Sequence, residues 1–257
     1  RGGPLVAGRR ADVIVPAVLP ARPGASVRRL CLLSLRRSIA VGSGIGVRPA
    51  YEAASSGLHL VPVLVARPDT ISDVIEIVKR AAAERTPVTS AGAQTSTTGA
   101  SITDKGMLLS LRALNQVSDL DVGSRTIRVG PGAIVSDVKK HVAASGLLFA
   151  PDPTSEEEST IGGAIACNAS GARTFKYGAT RRYVRALKVV LASGELVEFR
   201  RLDLEKNTVG YAFAHDPIDW FVGGDGTRGI IVGAALAVLP RPPRCVGPAT
   251  PVPTDGR

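Results

Sequence analysis

The chain has 257 residues, 44% of them apolar, which is enough to bury one large core or two modest ones. Its formal charge of +10 is no nucleic-acid signature: residues 1–50 hold nine Arg, no Lys and one Asp, the rest carries only about +2, and aromatic residues make up 4%. Cys31, Cys167 and Cys245 match no disulfide framework or metal-ligand spacing, and no apolar run reaches the roughly 20 residues that cross a bilayer; reduced thiols, a cytoplasmic location, no metal and no transmembrane segment are therefore expected.

Residues 1–57 read as a poorly ordered, Arg-rich leader, with Arg9, Arg10, Arg28, Arg29, Arg36 and Arg37 among Ser, Ala and Leu. That acid-poor composition fits either an organelle transit peptide, which would make the protein mitochondrial, or a disordered leader. Met107 is the one methionine, so the sequence is expected to be a fragment. A strand is expected from Leu58 through the run LHLVPVLVA, then a helix capped by Asp69 with Ile71, Val74, Ile75, Val78 and Ala82 on its buried face. Strands at 87–90 and 107–111 follow, separated by the loop AGAQTSTTGA, and complete a first subdomain of about 58–114.

A second subdomain, 115–242, opens with strands at 116–120 and 126–129 joined through Asp121, Gly123 and Ser124. Val135, Val138 and Val142 mark a helix that Gly146 ends in the left-handed conformation. Strands at 183–191 and 195–200 form a hairpin over Ala192-Ser193-Gly194, and a last strand spans 229–239. Residues 243–257 are a Pro-rich tail. Short strands with about three helices predict an α+β fold.

Two loops carry the chemistry. The run SAGAQTSTTG, 90–99, combines small and hydroxyl residues, and its backbone N–H groups with Thr95, Ser96 and Thr98 suit a pyrophosphate. In PDPTSEEESTIGGAIACNASGARTFKYGATRRYV, 151–184, only Ile165 and Asn168 exceed cysteine in size between Gly162 and Ala172, so backbone can approach a flat or anionic cofactor. Ser159 or Thr160 would cap a short helix there. Gly162 and Gly163 in its first turn either expose N–H groups to a ligand or allow a tight helix-on-sheet contact.

The segment GDGTRG, 224–229, fits G-x-G-x-x-G, but an apolar run ending at Pro240 replaces the helix that a nicotinamide dinucleotide site would open, so a turn is expected. GSGIG at 42–46 is a weaker echo. His59, His141 and His215 form no cluster, Glu156, Glu157 and Glu158 read as a solvated helix entry, and no nucleophile is paired with a base.

Four segments in order resemble the FAD-binding domain of the vanillyl-alcohol oxidase and p-cresol methylhydroxylase type, in its D-lactate dehydrogenase and glycolate oxidase flavin-subunit branch. PVTSAGAQTSTTG is similar to PxxPRGxGTSxxG; VGPGAIVSDVKKHVAASGLLFAPDPTS to the strand, Pro-Gly, helix and PDP that follow; STIGGAIACNASG with YGATRRYV to TIGGxxAxNASG and YGxTxxxV; and WFVGGDGTRGII to LFxGSEGTLGII. The resemblance covers about 58–242 and implies a two-subdomain FAD-binding domain. It implies that Ala91, Gly92, Ala93, Gln94, Thr95, Ser96 and Gly99 hold the pyrophosphate. Pro151, Asp152, Ser155, Thr160, Gly162, Gly163, Ala166 and Asn168 would lie along the flavin and ribityl chain, and Ile230 or Ile231 would meet the adenine end.

Three departures stand out: Ala91 replaces a frequent Arg, Arg228 replaces a Leu, and Gln94 replaces a Gly. Covalent members place His at the position of Gln94, so the resemblance implies noncovalent FAD. It further implies oxidation of a 2-hydroxy acid beneath a cap domain absent from this chain, leaving catalytic residues unassigned, with an iron-sulfur or other electron-acceptor partner. The alternative is a non-catalytic flavin-binding module that assembles with a partner.

Overall fold

The computed structural model describes residues 40–42, 49–118, 120–201 and 216–243; His215, Cys31, Cys245 and the tail from residue 244 lie outside them. Strands β1 (Ala40–Gly42), β2 (Leu64–Arg67), β3 (Val88–Ala91) and β4 (Met107–Ser110) form a sheet in the order β1-β2-β4-β3. β4 runs parallel to both β2 and β3, whereas β1 pairs antiparallel with β2. Every residue of β4 is buried, as expected of a central strand covered on both faces.

The expected leader is thus not wholly outside the fold: β1 extends the first sheet, and a 3-10 turn at Pro49–Tyr51 lies against it through Tyr51. The strand expected from Leu58 begins only at Leu64, because Leu58, Val61 and Val63 are exposed and Pro62 interrupts the ladder.

Helix α1 (Ile71–Ala83) links β2 to β3. Its cap is Thr70, not Asp69: Thr70 Oγ1 accepts from the Asp73 amide at 3.2 Å while Asp73 Oδ2 accepts from the Thr70 amide at 3.0 Å, a reciprocal box. Its fully buried positions include Ile77 and Ala81, so the buried stripe is rotated from the expected one, and Ile71, Ile75 and Ala82 are only half-buried. The rotation has a physical cause. α1 packs against both sheets, sharing one core with Leu64, Met107 and Leu109 of the first and with Val190, Ile230 and Val232 of the second. Thr70→Ala should lower stability by about 1 kcal/mol in urea unfolding, whereas Asp69→Ala should leave the midpoint unchanged.

The second sheet is antiparallel, in the order β5-β9-β7-β8: β5 (Thr126–Val129), β7 (Val184–Val190), β8 (Leu196–Arg200) and β9 (Ile230–Ala237). β7 and β8 make the expected hairpin, with Gly194 at φ +79° in its turn. Among the described residues of 116–120 there is no strand, and Val117 makes an isolated bridge to Val129. Helix α2 (Val135–Ala143) packs Val135, Val138 and Val142 into the second core and is followed by Gly146 at φ +71°. A small antiparallel pair joins β6 (Leu147–Leu148) to β10 (Leu239–Pro240).

Helix α3 (Ile161–Ala166) buries Ile161, Ala164 and Ile165 in this core, and α4 (Thr174–Tyr177) follows it. With one mixed sheet and one antiparallel sheet, the fold is α+β.

Candidate functional site

A cleft of ≈ 310 Å³ opens where the loop after β3, helix α3 and the turn before β9 converge. That volume is in the range of small-molecule sites, about 300–1,000 Å³. The first wall is the loop: Ala91, Gly92, Ala93, Gln94, Thr95 and Ser96 all line the cleft, together with Ser101. Among the described residues, no amide N–H from Gly92 to Thr97 donates to a protein acceptor. Six such donors in one loop form a ready anion cradle.

Gln94 holds the loop in an unusual shape. It sits at φ +60°, a conformation that a side chain disfavours, and its Nε2 donates to Tyr51 O at 2.9 Å and Ser101 O at 3.2 Å.

The second wall is α3 with the segment before it, bringing Pro153, Thr154, Ser155, Ser159, Thr160, Gly162, Gly163 and Ala166 to the cleft. Thr160 is the N-cap and accepts from the Gly163 amide. The helix start offers the ligand no free donors in its first turn: Ile161 N–H binds Ala133 O at 2.8 Å, Gly162 N–H binds Pro131 O at 2.8 Å, and Gly163 N–H binds Thr160 Oγ1 at 3.3 Å. Gly162 is small because a Cβ there would stand 2.7 Å from Pro131 Cβ, and Gly92 because its Cβ would strike Thr160 Oγ1. Much of the small-residue run therefore serves contact between the walls. Gly163 and Ala166 face the space itself.

Two hydroxyls lack protein partners: Ser159 Oγ and Ser101 Oγ are buried, line the cleft, and make no hydrogen bond. Ser159 is 6% exposed. An unpaired buried hydroxyl is costly, but both oxygens are closed off even with the cleft empty, so a ligand there meets them only if the side chains turn. The open amides and the small residues meet what a dinucleotide requires: neutral donors and close backbone approach.

The third wall is Asp225, Gly226 and Gly229 of the 224–229 turn, which leads into β9 and not into a helix, with Ile231 of β9. An adjoining apolar cavity of ≈ 470 Å³ shares Ser90, Gly226 and Gly229 with the cleft and is lined by Phe199, Phe221 and Ile230. Arg228 is exposed at its rim, so it carries no buried-charge penalty.

Of the expected site residues, Gly99, Pro151, Asp152, Asn168 and Ile230 do not line the cleft. Asn168, at φ +47°, uses Oδ1 to accept from the Arg181 amide at 2.9 Å, and Asp152 binds the Arg173 amide at 3.1 Å; both brace the loops behind the cleft. The residues missed from sequence were Ser101, Ser159, Cys167, Ser170 and Asp225. For Asp225, the Gly-Asp-Gly turn was the available signal. The Cys167 thiol is pushed up from its ordinary range first by the protein packed around it, although the residue as a whole is exposed; a hydrogen bond with Ser96 opposes this, and the charge and hydrogen bond of Asp225 add to it.

Residues 62–200 match the family described as FAD binding domain. The chain is 35% identical to D-lactate dehydrogenase of Anaerostipes hadrus over 74% of its own length and 39% of that protein's. It is 36% identical to glycolate oxidase subunit GlcD of Bacillus subtilis over 75% and 40%, and 36% identical to D-2-hydroxyglutarate dehydrogenase of Xanthomonas citri over 71% and 38%. The chain thus spans about 40% of the length of the curated relatives it matches. A solved alkyldihydroxyacetonephosphate synthase shares the fold with TM-score 0.69 at 20% identity, over 94% of this chain and 46% of that one. Among the described residues, no helix is long and apolar enough to cross a membrane.

Proposed function

The chain belongs to the FAD binding domain family, and we propose that it holds FAD noncovalently in this cleft, as the cofactor-binding part of an oxidoreductase acting on a 2-hydroxy acid of the D-lactate or glycolate kind. The observation that carries the reading is the row of amides from Gly92 to Thr97 with no protein acceptor, in a loop that lines the cleft. The amides, with Thr95 and Ser96, hold the pyrophosphate without needing a cation. Ser155, Thr160, Gly163 and Ala166 border the flavin and ribityl chain, and Ile231 with the adjoining apolar cavity receives the adenine end. Gly99, Pro151, Asp152 and Asn168 act one step back, by shaping the loops.

Gln94 supports noncovalent attachment: its amide nitrogen is already committed to two backbone carbonyls, and a carboxamide is no nucleophile toward the flavin ring. When bound, FAD supplies the hydride acceptor, at N5, for oxidation of the hydroxyl-bearing carbon. The residues described here bind and orient it. An iron-sulfur or other electron-acceptor partner would reoxidise the protein, a cytoplasmic location fits three widely spaced cysteines, and the FAD-binding unit runs from 58 to 242.

A second reading, a flavin-binding module that assembles with a catalytic partner, has one observation in its favour. Among the described residues lining the cleft there is no His, Lys or Arg to hold a substrate carboxylate.

The test is flavin reconstitution of the purified 257-residue chain. It should retain FAD through gel filtration and release it on acid denaturation, with no turnover of D-lactate or glycolate. Failure to take up FAD would refute the cofactor assignment; flavin that stays with the denatured chain would refute noncovalent binding. Turnover by the chain alone would show that the substrate groups lie within it.

A further inference from the structure

We propose that the outer face of the second sheet is a docking trough for an acidic, amphipathic α-helix of a partner protein. The proposal stands apart from the cofactor reading. Ile231, which lines the cleft, packs with Ala234 and Leu236 into the second core on the inner face of β9, whereas the trough lies on the outer face.

One rung of the ladder sets its width. Arg128 of β5 stands opposite Ala235 of β9, Ala235 opposite Ala186 of β7, and Ala186 opposite Arg200 of β8. Residues paired in this way point to one face, so two arginines flank two alanines. Four strands put the arginine backbones three spacings apart, about 14 Å. An α-helix with its side chains is about 10–12 Å across, and it fits between them. Gly233 continues the floor, with the stem of Lys188 beside it, and the whole trough has a volume of ≈ 590 Å³. Helix α1 covers the other end of this face, through Val190, Ile230 and Val232. Beyond α1 the face is open among the described residues: Arg128, Lys188 and Arg200 are exposed, and Ala186, Gly233 and Ala235 are only half-buried.

The walls select the sign of the occupant. Arg128, Arg185, Lys188 and Arg200 line the trough as exposed cations, against one lining carboxylate, Glu198, which lies 2.5 Å from Arg200 and 4.0 Å from Lys188. Arg201 lines it too, but its guanidinium is committed to Asp216 and Asp219. Asp121 is a second acid near Arg128, at the rim. A flat anionic surface, such as a lipid bilayer, would touch the arginine rims and leave the alanine floor empty. A helix with small or medium apolar residues on one stripe and Asp or Glu along both flanks fills the floor and meets both rims.

The experiment titrates the 257-residue chain against three probes: a synthetic helix of about 20 residues with an Ala and Leu stripe flanked by Glu, its twin with Lys in place of Glu, and vesicles containing phosphatidylserine. The Glu helix should bind at least about 10-fold more tightly than the Lys helix. Arg128→Glu combined with Arg200→Glu should weaken it about 10-fold, and Ala235→Leu, which fills the floor and keeps every charge, should weaken it as much. Ala186→Leu repeats the floor test on the neighbouring strand, and urea midpoints show that each variant is folded. Equal binding of the two peptides, binding of neither, or parental binding by both floor variants overturns the proposal. Vesicle binding that survives both floor variants, with the Glu helix unbound, overturns it in favour of a lipid surface.

Discussion

Gly171→Ala should destabilise the fold by about 1–3 kcal/mol and weaken FAD binding at the same time. A Cβ at 171 would land on the backbone carbonyl of Asp152, and backbone cannot swing aside as a long side chain can. The turn that carries Gly171 is closed by its own amide donating to Thr174 Oγ1 at 2.7 Å, and it clamps Asp152 through the Arg173 amide at 3.1 Å and Arg173 Nε at 3.3 Å. Pro153, Thr154 and Ser155, directly after Asp152, line the cleft, so a shift of one turn is passed to the other. Gly233→Ala is the control: a Cβ there meets only the Lys188 side chain, at 3.6 Å or more, and the midpoint should move by less than about 0.5 kcal/mol. Urea unfolding and flavin titration read both effects. A Gly171→Ala protein with parental stability and affinity would show that this contact does not shape the cleft.

Asp219→Ala should cost about 2–3 kcal/mol. Asp219 Oδ1 accepts from Arg201 Nη2 at 2.7 Å and from Arg181 Nη1 at 2.8 Å, and its Oδ2 accepts from Arg201 Nη1 at 3.2 Å. Arg201 also reaches Asp216 Oδ2 at 3.1 Å. These bonds tie the 3-10 turn Pro217–Trp220, which leads into the third wall of the cleft, to the ends of β7 and β8. The expected loss is below that of a fully buried pair because Arg181 and Asp219 keep about a third of their side-chain surface in water. Arg201, at 19% exposure, is the residue left most poorly solvated.

The same cluster predicts an acid limb. Burial alone would raise the Asp219 carboxyl, but hydrogen bonds from Arg201 and Arg181, and their charges, hold it below the ordinary 3.8. A carboxylate depressed by folding contributes stability that is complete above its unfolded value and is lost as pH falls through the folded one. Stability should therefore drop below about pH 3.8 with a component missing in Asp219→Ala, measurable by urea midpoints across pH 2–6. Identical acid limbs in parent and variant would count against the assignment.

The helices and the hairpin were legible in the chain because their signals are local. Val135, Val138 and Val142 repeat at helical spacing, and Gly194 marks a turn wherever it is placed. The strand expected at 116–120 is reduced, among the described residues, to a bridge: Val117 pairs with Val129 and Ser118 N–H reaches Arg128 O at 2.9 Å, and composition does not reveal how far such pairing extends. The Asp69 cap failed for a related reason: two adjacent residues can each cap a helix, and only the reciprocal bond with Asp73 selects Thr70. In the cleft, the lining loop 91–96 was legible by composition, while Ser159, Ser101 and Cys167 were not, because an ordinary Ser or Cys acquires meaning only from its surroundings.

By itself, the sequence determined the α+β class, the two small-residue segments that border the cleft, and the motif order that marks a flavin-binding family. Only the tertiary structure decided how those small residues divide their work. Gly92, Gly162 and Gly171 are small because other parts of the chain press on them, whereas Ala166 and the loop that carries the open amides border the cleft. The physical reason is that a missing Cβ looks the same in sequence whether protein or ligand fills its place, and three-dimensional contact alone tells the two apart.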